Sequence, residues 1–199
     1  DVAPLLPANT RVLAALALPP ILGITCAEDL GEDAFLERAG RAFARGLVLV
    51  QLREKSWTRE RRDAFARRLV PLAHAHGARV VVNGTTDDAA RVGADGVHWT
   101  SASLAAASAR PEDMLIGASC HTRDELARAA ALGVDYAVVG PVLATPTHPG
   151  AMPLGWDGFA RTIEHARVPV YALGGLAPAD LDTALDHGAH GIAMRRGAW

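Results

Sequence analysis

The sequence contains little lysine and little cysteine, and each shortage limits the classes of protein to which the chain can belong. Of its 199 residues, 20 are basic and 22 are acidic, so the formal net charge is −2. Because this balance provides no strongly basic face, nucleic acid is not an expected partner. The two cysteines, Cys26 and Cys120, form no C-x-x-C or zinc-ligand pattern, which favours reduced thiols and a cytoplasmic location. Only one basic residue is a lysine, Lys55.

Long hydrophobic runs are also missing. No apolar run approaches the roughly 20 residues that a membrane-spanning helix needs, so we expect no contact with a membrane. No signal-peptide pattern opens the chain. A length of 199 residues is that of one domain. We therefore divide the chain into residues 1–19, a proline-containing linker with an N-terminal helical segment, and residues 20–199, the folded domain.

A repeated pattern predicts the fold. An Ala-rich helical stretch ends in glycine, which can stop a helix in the left-handed conformation. A short β-branched run then follows, as expected for a buried parallel strand. The pattern occurs in residues 44–53, 75–83, 92–99, 132–140 and 187–194. Strands without the preceding glycine are predicted in residues 21–26, 114–120 and 168–175.

Eight strand–helix units predict a small (β/α)8 barrel of the TIM class. The helix after the last strand is missing or truncated, and residues 11–18 or a partner chain are expected to cover part of the gap. The alternative is an open doubly wound sheet. Such a sheet usually carries a Gly-rich phosphate loop after its first strand, and residues 24–33 contain none.

Active sites of such barrels lie at the carboxyl ends of the strands. After the second strand, Gln51, Arg53 and Lys55 alternate along the chain, so they share one face. If that face is the interior, an amide and two cations meet at the barrel mouth, where they suit a phosphate or diphosphate. The alternative is a surface charge cluster in which Glu54 pairs with Lys55.

Two histidines end neighbouring strands and receive different interpretations. His121 shares a face with Ser119, and an imidazole there can transfer protons near neutral pH. The alternative is that His121 only completes the corner before a capping box that begins at Thr122. His98 precedes Trp99, and we interpret it as a structural histidine of the core.

The loops after the last three strands supply the remaining candidates. Residues 143–156 form a long, proline-rich loop, which is typical of a lid or substrate clamp but also of a rigid crossover. Glycines and arginines at the ends of strands seven and eight predict a phosphate site, because barrels commonly bind phosphate there. The candidates in these loops are Thr145, Thr147, His148, Gly174, Gly175, Arg195 and Arg196.

Together these strand ends resemble the thiamin phosphate synthase/TenI family. The matching pieces are QLREK (51–55), VNG (82–84), GADGVH (93–98), GASCHT (117–122), VVGPVLATPTH (138–148) and ALGG (172–175). The resemblance implies a (β/α)8 barrel and one of two activities. The synthase joins a pyrimidine diphosphate to a thiazole phosphate and releases diphosphate with Mg²⁺. The TenI branch includes an enzyme that aromatises a thiazole phosphate carboxylate by proton transfer without metal.

The resemblance also implies roles for single residues. Gln51, Arg53 and Lys55 match contacts to the diphosphate and pyrimidine, and Asn83 matches the asparagine of an Asn-Asp pair. Ser119 matches a serine that contacts the diphosphate, and Thr145 and Thr147 match threonines that contact the substrates. Gly175 matches a glycine that binds the thiazole phosphate, and His121 matches the proton-transferring histidine. Lys55 and His121 are thus the candidate catalytic residues, and the other matched residues, with His148, Gly174, Arg195 and Arg196, are candidate binding residues.

Several family positions differ in this chain. Gly84 stands where the family has a metal-binding Asp, and Ser103 falls near a second such Asp. His148 replaces a lid lysine, and Arg196 replaces a serine. Because Mg²⁺ prefers carboxylate and phosphate oxygens, we assign no metal ligand and regard no cofactor as certain.

Three functional hypotheses follow. The first is a TenI-like barrel that binds a thiazole phosphate and uses His121 as an acid/base. The second is the Mg²⁺-dependent synthase. The third is a non-catalytic ligand-binding domain fused to a Nudix domain, which the linker-like start suggests. All three predict a small phosphorylated thiazole or pyrimidine ligand, and a homo-oligomer is compatible with each.

Overall fold

The strands of the computed structural model, which describes residues 18–145, 150 and 152–199, close into a single parallel barrel. They follow chain order around the barrel, and β1 pairs with β8. The strands are β1 (Ile21–Ile24), β2 (Leu49–Leu52), β3 (Arg79–Val82), β4 (Gly96–Trp99), β5 (Leu115–Cys120), β6 (Tyr136–Val139), β7 (Val170–Leu173) and β8 (Gly191–Met194). The predicted (β/α)8 barrel is confirmed, and the alternative of an open sheet is wrong.

Helices alternate with the strands. They are α1 (Ala27–Leu30), α2 (Glu32–Ala44), α3 (Arg59–His74), α4 (Thr86–Val92), α5 (Ser101–Ala106), α6 (Arg123–Leu132), α7 (Gly155–Ile163) and α8 (Leu181–Asp186), and a 3₁₀ turn covers Pro178–Asp180. Across the residues described, no helix combines the length and apolar character needed to cross a bilayer. The segment predicted for residues 1–17, Thr147 and His148 lie outside the described residues.

Local sequence fixes where the helices begin and end. The predicted capping box at α6 is present, since the Thr122 side chain accepts from the Glu125 N–H and the Glu125 carboxylate accepts from the Thr122 N–H. Gly133 ends the same helix in the left-handed conformation with φ of 73°, as the repeated pattern predicts. Because neighbouring strands pair in parallel, each carboxyl strand end and the loop after it lie on the same face of the barrel.

Two apolar layers surround the strands. Alternate residues face the helices or the barrel interior, and the interior layer holds Leu22, Ile24, Leu49, Tyr136, Val138, Tyr171 and Ala193. Leu18 closes the amino-terminal end of this layer, where the Tyr171 hydroxyl donates to the Pro19 carbonyl. The interior is therefore filled at one end, and polar groups gather at the other.

Trp199 covers the outer side of β1, where the sequence predicts that the helix after the last strand is missing or truncated. Its Nε1 donates to the Ile24 carbonyl at 2.9 Å, and its ring lies edge-on to Phe35 with centroids 4.6 Å apart. A Cβ on Gly23 would lie 3.2 Å from the indole, so the glycine makes room for it. In residues 195–199 no helix follows β8, and this side chain packs against β1 and α2 instead.

We expect Trp199→Ala to lower the free energy of unfolding by about 3 kcal/mol, because it exposes β1 and leaves the Ile24 carbonyl unpaired. Urea unfolding measures this change. Met152, which is 90% exposed, is the matched control, and Met152→Ala should change stability by less than about 0.5 kcal/mol. Equal unfolding midpoints for the two variants would contradict the packing role of Trp199.

Candidate active site at the carboxyl ends of the strands

The barrel brings most of the predicted site residues to its carboxyl-terminal mouth. Residues following β2, β3, β5, β7 and β8 lie on neighbouring or facing sides of one ring of strand ends. Gln51 is 2% exposed and occupies the interior, whereas Asn83 and Ser119 are partly exposed at the ends of β3 and β5. Thr145 lies in the loop after β6 and already interacts with another residue.

Arg53 and Lys55 bring positive charge to this mouth, and among the described residues no carboxylate forms an ion pair with either side chain. Arg53 is half-buried, and its backbone N–H donates to Thr25 Oγ1 at 2.9 Å. Burial, and then the charge of Arg195, lowers the pKa of Arg53. Burial, and then the charge of Arg53, lowers the pKa of Lys55. Within the part of the chain that the structure describes, neither side chain has a hydrogen bond or an ion pair, so both can bind an anion.

Glu54, which lies between these two cations in the sequence, forms no ion pair with either of them. Its side chain is buried, and it accepts the N–H of Ala27 at 2.8 Å and of Glu28 at 3.0 Å. The carboxylate thus caps the first turn of α1, where negative charge is stabilised. The pairing of Glu54 with Lys55, which the alternative of a surface charge cluster assumed, is therefore wrong.

The two arginines after β8 are placed differently from the prediction. Arg195 donates to Asp29 and Glu28 at 2.8 Å each, and its side chain is only 13% exposed. Arg196 lies 3.1 Å from the same Asp29. Because β8 is next to β1, the acidic residues of α1 reach these cations first. Arg195 therefore anchors α1 and is not a free phosphate ligand, while the more exposed Arg196 keeps part of its surface open.

The glycine pair after β7 supports the loop that follows β6. Gly174 and Gly175 have φ of 107° and 68°, and a Cβ on Gly175 would lie 2.5 Å from the Ala144 carbonyl. The Leu143 N–H donates to the Gly174 carbonyl at 3.0 Å, which extends the pairing of the two segments beyond the strands. Close packing of this loop thus explains both glycines, and Gly175 remains exposed at the mouth.

His121 lies at the carboxyl end of β5 and is exposed. Its ring Nδ1 is 3.3 Å from the Gly140 carbonyl, and its backbone N–H donates to the Glu125 carboxylate. The backbone of His121 therefore completes the corner between β5 and α6, and the imidazole is not needed for that purpose. Among the described residues no partner binds Nε2 of the side chain, as an acid/base role requires.

His98 is closer to the cations than the sequence indicates. It is 1% exposed, faces the barrel interior, and contacts Ser119 Oγ through Nε2 at 3.0 Å. Burial, and then the charge of Arg53, lowers its pKa to about 3. It is a buried histidine, as predicted, but it also touches a candidate ligand-binding residue. The alternation of GVHW (96–99) would have revealed this, because Val97 and Trp99 face the helices.

The donors at the two family metal positions do not fit Mg²⁺. Gly84 has no side chain, and a Cβ there would lie 2.6 Å from Asp88 Oδ2. That carboxylate is held by Thr85 and Arg91, and although burial acts in the opposite direction, these hydrogen bonds lower its pKa to about 2. Near the second position, Thr100 and Ser103 bond to each other at 3.0 Å. Among the described residues, no three potential metal-ligating side chains of His, Cys, Asp or Glu cluster together.

Comparison with known proteins agrees with this geometry. The family model described as thiamine monophosphate synthase, TMP-TENI, matches residues 21–198. The chain belongs to this family. A relative from Geobacter sulfurreducens, named provisionally as a thiamine-phosphate synthase, is 40% identical over 175 residues, 86% of this chain and 82% of that protein. The thiamine-phosphate synthase of Thermus thermophilus is 38% identical over 166 residues, 82% of this chain and 81% of that protein.

A solved structure gives the same result. The thiamine phosphate pyrophosphorylase of Pyrococcus furiosus superposes with a TM-score of 0.72 at 26% identity and covers 88% of this chain and 84% of its own. The names of these relatives favour the synthase over the TenI-like tautomerase that the sequence analysis placed first. A Nudix fusion stays a prediction.

We expect Glu54→Ala to lower the free energy of unfolding by about 2 kcal/mol, since two helix N–H groups lose a buried charged acceptor. Urea unfolding measures the loss. Glu37→Ala, on the exposed side of α2, is the control and should stay within about 0.5 kcal/mol of the unaltered chain. A loss for Glu54→Ala no larger than for the control would show that the carboxylate is not a cap.

Proposed function

We propose that this protein is a thiamin phosphate synthase, which joins a pyrimidine diphosphate to a thiazole phosphate and releases diphosphate. The observation that carries the proposal is the pair of cations, Arg53 and Lys55, which lie at the barrel mouth with no hydrogen bond or ion pair to a carboxylate among the described residues. A diphosphate supplies the negative charge that these cations lack. The names of the relatives support the same activity.

In the proposed reaction, the bond between the pyrimidine and the diphosphate oxygen breaks, and its electron pair stays on the diphosphate. The thiazole phosphate forms the new bond to the pyrimidine. Negative charge therefore builds up on the leaving group, where Arg53 and Lys55 stabilise it more strongly in the transition state than in the bound substrate. Ser119 donates a further hydrogen bond, and Gln51 contacts the pyrimidine from the interior.

The second substrate binds at the opposite side of the mouth. The exposed N–H of Gly175 and the loop that carries Thr145 are suited to its phosphate, because a backbone with positive φ exposes its amide to an anion. Arg196, which follows β8, is a cation with an exposed side chain. Since no group of carboxylates among the described residues fits Mg²⁺, we assign no step of the reaction to a metal.

The direct test is diphosphate release and thiamin phosphate formation by the purified chain supplied with both substrates. We expect turnover, and we expect Lys55→Gln to lower kcat/KM about a hundredfold through lost charge stabilisation. Arg67→Gln removes the same unit of charge from the exposed face of α3 and should retain kcat/KM within twofold. Absence of turnover with excess Mg²⁺ would reject the synthase.

His121 supports the second candidate function, thiazole aromatisation, because its ring is exposed at the strand end and keeps one nitrogen open. If the chain is a synthase, His121→Ala should keep thiamin phosphate formation within threefold, because no proton transfer is needed there. If it is a tautomerase, the same variant should abolish thiazole aromatisation and leave affinity for thiazole phosphate within a few fold. Product analysis of both reactions distinguishes the two enzymes, and binding without either reaction would favour the ligand-binding domain.

A further inference from the structure

A line of polar side chains crosses three strands inside the barrel below the candidate diphosphate site. In register, His98 of β4 lies opposite Gly117 of β5, and Gly117 lies opposite Tyr136 of β6. The Tyr136 ring lies over the glycine, because a Cβ on Gly117 would be only 2.2 Å from Cζ of Tyr136. The missing side chain lets the phenol reach His98 Nδ1 at 3.3 Å.

The other ring nitrogen faces the mouth of the barrel. His98 Nε2 lies 3.0 Å from Ser119 Oγ, one step further along the inner face of β5 than Gly117. His98 is 1% exposed and Tyr136 is 0% exposed, whereas Ser119 is partly exposed. Only the serine end of the line can therefore meet a ligand.

The imidazole carries one N–H, because its low pKa keeps it neutral near pH 7. Burial raises the pKa of Tyr136 well above its usual value, so the phenol keeps its proton. Two proton arrangements are compatible with the distances. Either the phenol donates to Nδ1 and Nε2–H donates to Ser119, or Nδ1–H donates to the phenol and Ser119 donates to Nε2.

The first arrangement satisfies every group. Among the described residues, the Tyr136 hydroxyl hydrogen has no acceptor other than His98 Nδ1. In the second arrangement that hydrogen stays buried and unpaired, which is costly in a protein interior. The phenol therefore donates to Nδ1, and the single imidazole proton is on Nε2. Ser119 then accepts from His98, and its own hydrogen is free to turn to the mouth.

We propose that His98 is a positioning residue that fixes the Ser119 hydroxyl as a hydrogen-bond donor to the bound diphosphate. This inference rests on the proposed function, in which the diphosphate binds between Arg53 and Ser119. Most oxygens of a diphosphate are negatively charged acceptors at neutral pH, so a serine that presents a lone pair to one of them would repel it. The Tyr136 hydroxyl determines which ring nitrogen of His98 carries the proton. The protonated Nε2 of His98 in turn determines that Ser119 accepts from it and donates to the ligand.

The test measures the affinity of inorganic diphosphate for the full chain by calorimetry. Ser119→Ala and His98→Leu should each weaken binding about tenfold, which corresponds to ~1.4 kcal/mol. The double variant should bind no more weakly than Ser119→Ala alone, because His98 acts only through the serine. His98→Gln, whose amide N–H can replace Nε2–H, should restore binding to within threefold of the unaltered chain. Additive losses with no rescue by glutamine would overturn the inference.

Two buried tyrosines provide a matched control. Tyr136 and Tyr171 both lie in the barrel interior, but Tyr171 donates to the Pro19 carbonyl at the closed end. Tyr136→Phe should weaken diphosphate binding at least threefold, while Tyr171→Phe should leave it within twofold. Urea unfolding of both variants measures the general cost of losing a buried hydroxyl. Equal effects of the two variants on binding would contradict a role for the tautomer.

Failure of the proposed function gives a different result. An unaltered chain that binds no diphosphate overturns the synthase, whereas a chain that binds it equally well with His98→Leu overturns only the positioning role. The tautomer is tested independently of the ligand by ¹⁵N NMR of the histidine side chains. A His98 signal with the proton on Nε2 supports the inference, and a proton on Nδ1 rejects it.

Discussion

The half-buried guanidinium of Arg53 is the charge around which the mouth of the barrel is arranged. It approaches a second cation, Lys55, and a third, Arg195, yet it has no ion-pair partner among the residues described. A buried charge without a partner is unfavourable in the free protein, and an anionic ligand removes that cost on binding. Burial, and then the same charge, lowers the pKa of His98 and keeps it neutral, so the imidazole can hold one fixed proton arrangement beside the site.

Carboxylates lie near the mouth of the barrel, but each of them binds another group. Glu54 caps α1, and the acidic residues of that helix, Glu28 and Asp29, bind Arg195. The start of α1 is therefore bound by the carboxylate of Glu54, which follows β2. The acidic side chains of α1 are bound by the guanidinium of Arg195, which follows β8. This arrangement stabilises the loop after β1 and leaves these carboxylates without a hydrogen bond or ion pair to Arg53, although the charges of Glu28 and Glu54 still act on it. Stability of the loop and affinity for an anion thus depend on the same distribution of charges.

The fold could be predicted from the sequence because its determinants are local. Glycine after a helix, a β-branched run and a capping threonine each act within a few residues, and together they define the eight strands. The partners of Glu54 and Arg195 could not be predicted, because they depend on closure of the barrel, which places β1 beside both β2 and β8. Trp199 was missed for the same reason. His98 was assigned to the core from its neighbour Trp99, although strand alternation already placed it in the interior.

In the reaction that we propose, the residues at the family metal positions shift the neutralisation of charge onto the protein's own cations. Where a carboxylate is missing at Gly84, Asp88 fills the space but is bound to Arg91 and Thr85. Neutralising a leaving diphosphate then depends more heavily on Arg53 and Lys55. The chain has 19 arginines and one lysine, so its composition favours arginine at any site where the two residues are interchangeable. A guanidinium is planar and broad, whereas an ammonium is a compact point charge that fits beside a second cation and a diphosphate. The single lysine is therefore placed where that difference in shape matters.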